Sequence, residues 1–61
     1  MTVTEAIEQL VEKLNSSLTD AGKHERGNHA AGTRLRKALQ AIVHDCRDLR
    51  QSIQDERNAR K

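Results

Sequence analysis

The chain has 61 residues, of which 34% are hydrophobic and 33% are charged, and it contains no aromatic residue and no proline. A chain of this length forms at most one domain and lies below the size at which one core normally stabilises a fold, and here the core must be aliphatic. The formal net charge is only +2, and the single cysteine excludes an intramolecular disulfide and a zinc site of four cysteines.

The N-terminal residues lack the features of a signal peptide. Met1 to Glu5 contain neither a basic start nor an apolar run. No apolar stretch approaches the length that spans a membrane. The single cysteine also fits a reducing compartment. We therefore expect a cytoplasmic protein without membrane contact.

The first part of the chain predicts a helix from about residue 3 to residue 26. Thr2 and Glu5 have the spacing of a capping box, and Thr4 is a competing start. Apolar residues then recur at intervals of three and four. Gly22 offers an early end, but we favour Gly27, because a glycine inside a helix costs only about 1 kcal/mol relative to alanine. The apolar positions are Val3, Ile7, Leu10, Val11, Leu14 and Leu18.

A turn at residues 27–28 and a second helix from about residue 29 to residue 58 are expected next. Gly27 can adopt the left-handed conformation that ends a helix, and the side chain of Asn28 can cap the following one. The second helix carries an apolar heptad seam. Its members are Leu35, Leu39, Ile42, Cys46, Leu49 and Ile53.

The two helices predict an all-α fold, an antiparallel two-helix hairpin that forms a single domain over residues 1–61. We expect the second-helix seam to pack on Ile7, Val11, Leu14 and Leu18 of the first helix. Such a hairpin leaves apolar edges uncovered at Leu10, Ala38 and Val43. A second copy would cover them, so we predict a homodimer in the form of a four-helix bundle.

No group of residues indicates catalysis or metal binding. His24, His29 and His44 lack the spacing of known ligand motifs. Cys46 lies on the seam, where a small buried hydrophobe is the ordinary role and a redox or dimer-linking role is the alternative. Two thin helices also offer little concave space for a small molecule. We expect no enzyme, no cofactor, no metal and no small-molecule substrate.

The turn region concentrates positive charge. Residues 23–37 contain five basic residues and one acidic residue, which gives a local formal charge of +4. Phosphate binds well where cationic side chains stand beside the free amides at a helix start. Without aromatic residues nothing stacks on splayed bases, so double-stranded DNA is the simplest polyanion partner. At Gly32, close approach of a phosphodiester and close packing of the two helices are equally favoured.

The candidate DNA contacts extend from this turn along the second helix. Thr33 and Asn28 are expected to donate to phosphate oxygen. A helical wheel places an arginine flank beside the seam, formed by Arg36, Arg47, Arg50 and Arg57, with Lys61 beside them if the helix persists. The DNA-binding candidates are Lys23, Arg26, Asn28, His29, Thr33, Arg34, Arg36, Lys37, Arg47 and Arg50.

Residues 27–38 read GNHAAGTRLRKA and resemble the pattern GN-x-AAGTR-x-RKA of bacterial linker-histone-like proteins of the chlamydial histone-like type. The resemblance implies a small helical, nucleoid-associated protein that binds DNA without strong sequence preference and compacts it. The long basic tail of larger family members is missing from this sequence, which implies a short form that binds DNA through its folded part. His29 stands where the family pattern has a more basic residue, so its contribution depends on pH.

The main alternative is a helical protein-interaction module, a coiled-coil adaptor or regulator that does not bind DNA. A net charge of only +2 favours this alternative. Such a hairpin would use its apolar seam to bind a larger partner, and it would ignore duplex DNA.

Overall fold

Two antiparallel helices joined by a tight turn make up the computed structural model, which describes residues 1–60. The helices are α1, Val3–Glu25, and α2, His29–Ala59, and the described residues contain no strand. The molecule measures 52 × 16 × 13 Å along its principal axes. The predicted all-α hairpin is therefore confirmed. Lys61, predicted to extend the arginine flank, lies outside the described residues.

The start of α1 is fixed by the predicted cap. Thr2 has an extended backbone, and its Oγ1 accepts a hydrogen bond from the backbone N–H of Glu5 at 3.1 Å. This bond satisfies one of the free amides that every helix leaves at its first turn. The carboxylate of Glu5 lies in the same turn, where it opposes the positive end of the helix dipole.

The turn between the helices is a Schellman motif built on Gly27. Gly27 has a φ of +95°. Its N–H donates to the carbonyl of His24 at 2.9 Å, and the N–H of Asn28 donates to the carbonyl of Lys23 at 3.0 Å. Asn28 then begins α2, because its side-chain oxygen accepts from the N–H of Ala31 at 3.0 Å. The helix runs through Gly22 without interruption.

Small and larger aliphatic side chains together form the contact between the helices. Ala31, next to the turn, is the one described residue that is fully buried. Further along, the contact is lined by half-buried residues of both helices. In α1 these include Val3, Ala6, Leu10, Ser17 and Ala21, and in α2 they include Leu35, Ala38, Ile42 and Leu49.

This packing corrects the predicted seam of α1. Ile7, Val11, Leu14 and Leu18 are 46%, 50%, 48% and 68% exposed, so within the single hairpin they do not pack on α2. The row Val3, Ala6, Leu10, Ser17 and Ala21 takes that place instead. Both rows have helical spacing, and the row with alanine and serine allows a closer approach of the helix axes. Leu10, expected at an uncovered edge, is therefore half-buried.

The seam of α2 is divided in the same way. Leu35, Ile42 and Leu49 face α1, as predicted. The other three members are exposed: Leu39 at 44%, Ile53 at 39%, and Cys46. Val43 is 52% exposed. Cys46 is thus not a buried hydrophobe in the single chain.

The exposed aliphatic side chains of both helices share one side of the hairpin. Gln9, Lys13 and Ser16 of α1 line a shallow groove together with α2 residues that include Ala41 and Asp48, so these all lie on one side. At about 100° per residue, the exposed aliphatic rows lie on the opposite side of each helix. We call this surface the apolar face, formed by Ile7, Val11, Leu14, Leu18, Leu39 and Val43.

Candidate nucleic-acid interface

Exposed basic side chains lie just before the turn and in the early turns of α2. Lys23 and Arg26 come from the end of α1, while Arg36 and Lys37 come from the second and third turns of α2, and all four are exposed. His29 and Ala30, also exposed, form the first residues of α2. The amides of a first helical turn carry partial positive charge and bind anions. We call these four cations, with His29, the basic turn.

Arg34 differs from the other cations near the turn, because it forms an ion pair with Asp20. Its Nη2 lies 3.0 Å from Oδ1 of Asp20, and its Nε lies 3.3 Å from both carboxylate oxygens. This hydrogen bond lowers the pKa of Asp20, and the charges of Arg34 and Lys23 act in the same direction. The same contact raises the pKa of Arg34. The contact of Arg34 with phosphate stays a prediction; in the hairpin its charge is partly neutralised by a carboxylate of α1.

The two polar side chains predicted to donate to phosphate have structural roles. The hydroxyl of Thr33 donates to the carbonyl of His29 at 3.2 Å, so its proton is used within the helix. The side-chain oxygen of Asn28 is used as the helix cap, which leaves its NH2 group as a donor. Asn28 therefore stays within reach of an anion at the turn, whereas Thr33 is less suited to the predicted role.

Gly32 allows the two helices to approach each other at the turn. A Cβ added at Gly32 would stand 2.6 Å from Nδ1 and 3.2 Å from Cε1 of His24, so the imidazole occupies that space. Of the two interpretations of Gly32, close packing of the helices is the one present in the structure. In the sequence, this contact is indicated by a histidine three residues before Gly27 together with a glycine five residues after it.

Arg47 and Arg50 lie far from the basic turn. Both are exposed on α2. With a rise of about 1.5 Å per residue, they stand about 30 Å along the helix from Asn28. The structure therefore places the ten predicted DNA-binding residues in two separate regions, with Arg36 near the turn and Arg47 and Arg50 near the far end of the hairpin.

The side opposite the apolar face carries an ion pair that sequence analysis missed. Lys13 Nζ of α1 contacts Asp45 Oδ2 of α2, and both side chains remain partly exposed. Their separation of 32 residues is not visible as a sequence pattern, since it depends on the register between the helices. This groove contains side chains of both charges, unlike the basic turn.

Residues 1–60 contain no group of three or more histidine, cysteine, aspartate or glutamate side chains placed to hold a metal ion. In the same part of the chain, neither helix combines the length and apolar character needed to cross a membrane.

Comparison with known proteins identifies the family. The family model described as histone H1-like protein Hc1 matches residues 4–59, which include both helices and the turn. The comparison with curated proteins and the comparison with solved structures found no significant match. The match extends well beyond the motif at residues 27–38, on which the predicted resemblance depends. The chain therefore belongs to the histone H1-like protein Hc1 family.

Proposed function

We propose that this protein is a nucleoid-associated, histone-like protein that binds double-stranded DNA through the phosphate backbone, without reading the base sequence, and compacts or organises it. The observation that carries this proposal is the exposed basic turn, in which Lys23 and Arg26 precede a helix start with free amides and Arg36 and Lys37 follow it. Membership of a histone H1-like family supports the same function and a location in the cytoplasmic nucleoid. No cofactor and no catalytic step is needed.

Binding to phosphates alone accounts for the absence of sequence preference. The basic turn offers charges and amides, which contact phosphate oxygens, and these contacts fix position without identifying bases. The affinity should fall steeply with salt, because each neutralised phosphate releases counterions, with a slope near −0.9 per phosphate in a plot of log K against log salt.

The experiment measures DNA affinity by fluorescence anisotropy over a series of salt concentrations, with two unrelated duplexes of equal length. It compares the wild type with substitutions of two lysines. We expect equal affinity for both duplexes. Lys37→Gln should reduce the salt slope by about one, since it removes one phosphate contact. Lys13→Gln removes the same charge from the groove, near Asp45, and should leave the slope unchanged. Sequence preference, or equal slopes for the two variants, would contradict the proposal.

We also propose that the protein acts as a homodimer formed through the apolar face. The single chain fully buries only Ala31 among its described residues, which is too little for an independent core. Leu14→Glu should weaken dimerisation in sedimentation equilibrium, because it places a charge in the apolar face. Ser16→Glu adds the same charge to the same helix on the opposite side and should have little effect. A wild-type chain that stays folded and monomeric at micromolar concentration would overturn this part of the proposal.

The apolar face also supports a second candidate, a helical protein-interaction module. Six exposed aliphatic side chains on one side are a surface that a partner helix recognises. The same anisotropy experiment separates the two candidates, because a protein-interaction module without DNA binding would bind neither duplex at low salt.

A further inference from the structure

We propose that the second copy docks on the apolar face with its turn at the same end as the first, so that α1 of each copy lies over α2 of its partner. This inference rests on the proposed homodimer and adds its orientation. Two copies joined by a twofold axis can place their turns at the same end or at opposite ends. In the opposite arrangement, α1 lies over the partner's α1 and α2 lies over the partner's α2.

The aliphatic side chains do not decide between the two arrangements. In the hairpin, Asp20 is level with Arg34 and Lys13 with Asp45. In a same-end dimer, α1 has the same register against the partner's α2 as against its own, so Leu14 would contact the partner's Val43. An opposite-end dimer would instead place Leu14 near the partner's Val11. Both arrangements cover the apolar face.

The charges that border the apolar face distinguish the arrangements. Each helix carries charged residues along the edge of the apolar face that lies away from the other helix, which we call the outer border. Glu8 lies on the outer border of α1, and Arg36 and Arg47 lie on that of α2. All three residues are exposed. In the same-end dimer, Glu8 is level with the partner's Arg47, and opposite charges meet. In the opposite-end dimer, α2 lies antiparallel on α2, which brings Arg36 close to the partner's Arg47. Like charges then face each other twice, once on each side of the twofold axis.

This orientation separates the arginines by role. Arg47, which lies about 30 Å along α2 from the turn, borders the dimer interface in this arrangement. The two basic turns lie side by side at one end of the bundle. One dimer then presents a single basic end to one duplex, and the two turns do not bridge separate duplexes from opposite ends.

Distance measurement between two spin labels tests the orientation directly. Ala30 is exposed and lies beside the turn, so Ala30→Cys in a Cys46→Ser background gives one label per chain. From helix rise and interaxial spacing, the two labels should be about 25 Å apart in the same-end dimer and about 45 Å apart in the opposite-end dimer. Circular dichroism checks that the labelled chain is helical.

Each outcome of the distance measurement has one meaning. A distance near the shorter value supports the orientation. A distance near the longer value in a chain that sediments as a dimer overturns the orientation and leaves the proposed homodimer intact. A folded monomer without dipolar coupling between labels overturns the homodimer, and the orientation with it.

Charge reversal provides an independent test. Glu8→Arg should weaken dimerisation about fivefold to tenfold, because it places like charges beside the partner's Arg47 at two symmetric positions. Adding Arg47→Glu to the same chain should restore the wild-type dissociation constant. Glu12→Arg makes the same change of charge further from the apolar face and should have little effect. Failure of the second substitution to restore dimerisation would overturn the inferred contact.

Discussion

The imidazole of His24 rests against the backbone of α2 at Gly32, where an added Cβ would stand 2.6 Å from Nδ1. An alanine at this position gains about 1 kcal/mol of helix propensity but forces the ring away. We expect Gly32→Ala to be close to neutral in the wild-type chain and stabilising by about 1 kcal/mol in a His24→Ala background. Urea unfolding of the four chains measures this coupling, and equal effects in both backgrounds would show that the contact is energetically unimportant.

Gly22 and Gly27 should respond to alanine with opposite signs. Gly27 has a φ of +95°, which a side chain rarely adopts, so Gly27→Ala should destabilise the hairpin by about 1–2 kcal/mol. Gly22 lies within α1, and an added Cβ would meet Arg26 Nη2 at an ordinary 3.7 Å. Gly22→Ala should therefore stabilise by about 0.5–1 kcal/mol. Thermal unfolding at equal protein concentration gives both values, and a stabilised Gly27→Ala chain would contradict the Schellman turn.

The ion pair between Asp20 and Arg34 predicts a loss of stability in acid. Because the pKa of Asp20 is lowered in the folded chain, its contribution is complete above the unfolded pKa of about 3.9 and is lost as the pH falls through the folded value. At pH 7, Asp20→Asn should melt at a lower temperature than the wild type. As the pH is lowered toward 2 and protonation of Asp20 removes its bond with Arg34, the two melting temperatures should converge. Asp48→Asn is the control for net charge, and a difference between wild type and Asp20→Asn that persists at pH 2 would exclude this explanation.

The same substitution should strengthen DNA binding, if the basic turn is the binding surface. Asp20→Asn releases the guanidinium of Arg34, which then becomes free to contact a phosphate. We expect the slope of log K against log salt to become steeper by about one. Asp48→Asn changes the net charge equally but lies about 30 Å along α2 from the turn, so it should leave the slope unchanged. Equal slopes for both variants would indicate a response to net charge only.

The features that depend on neighbouring residues were predictable from the sequence. The spacing of Thr2 and Glu5 indicated the start of α1, and Gly27 with Asn28 indicated the turn, because caps and turns are local arrangements of a few residues. The family resemblance was equally visible in one short run of residues, and it is confirmed over residues 4–59.

The features that depend on contact between the helices were not predictable in the same way. Two rows of α1 have helical spacing, and the periodicity does not decide whether Leu10 or Leu14 contacts α2; in the structure Leu10 is half-buried and Leu14 is exposed. The partner of Arg34 lies 14 residues away across the turn, so its identification requires the register of the hairpin. Whether the exposed aliphatic residues meet a second copy depends on association, which the periodicity of one chain does not determine.

The two ends of the hairpin are held together unequally. At the turn, the Schellman bonds, the Asn28 cap, Ala31 and the pair of Asp20 with Arg34 all lie within a few residues. At the other end, residues 51–60 are all exposed, because α1 does not extend alongside the last two turns of α2. Amide protons there should exchange with solvent fastest, and protection should rise steadily toward the turn, because the two helices separate first at the free end of the hairpin.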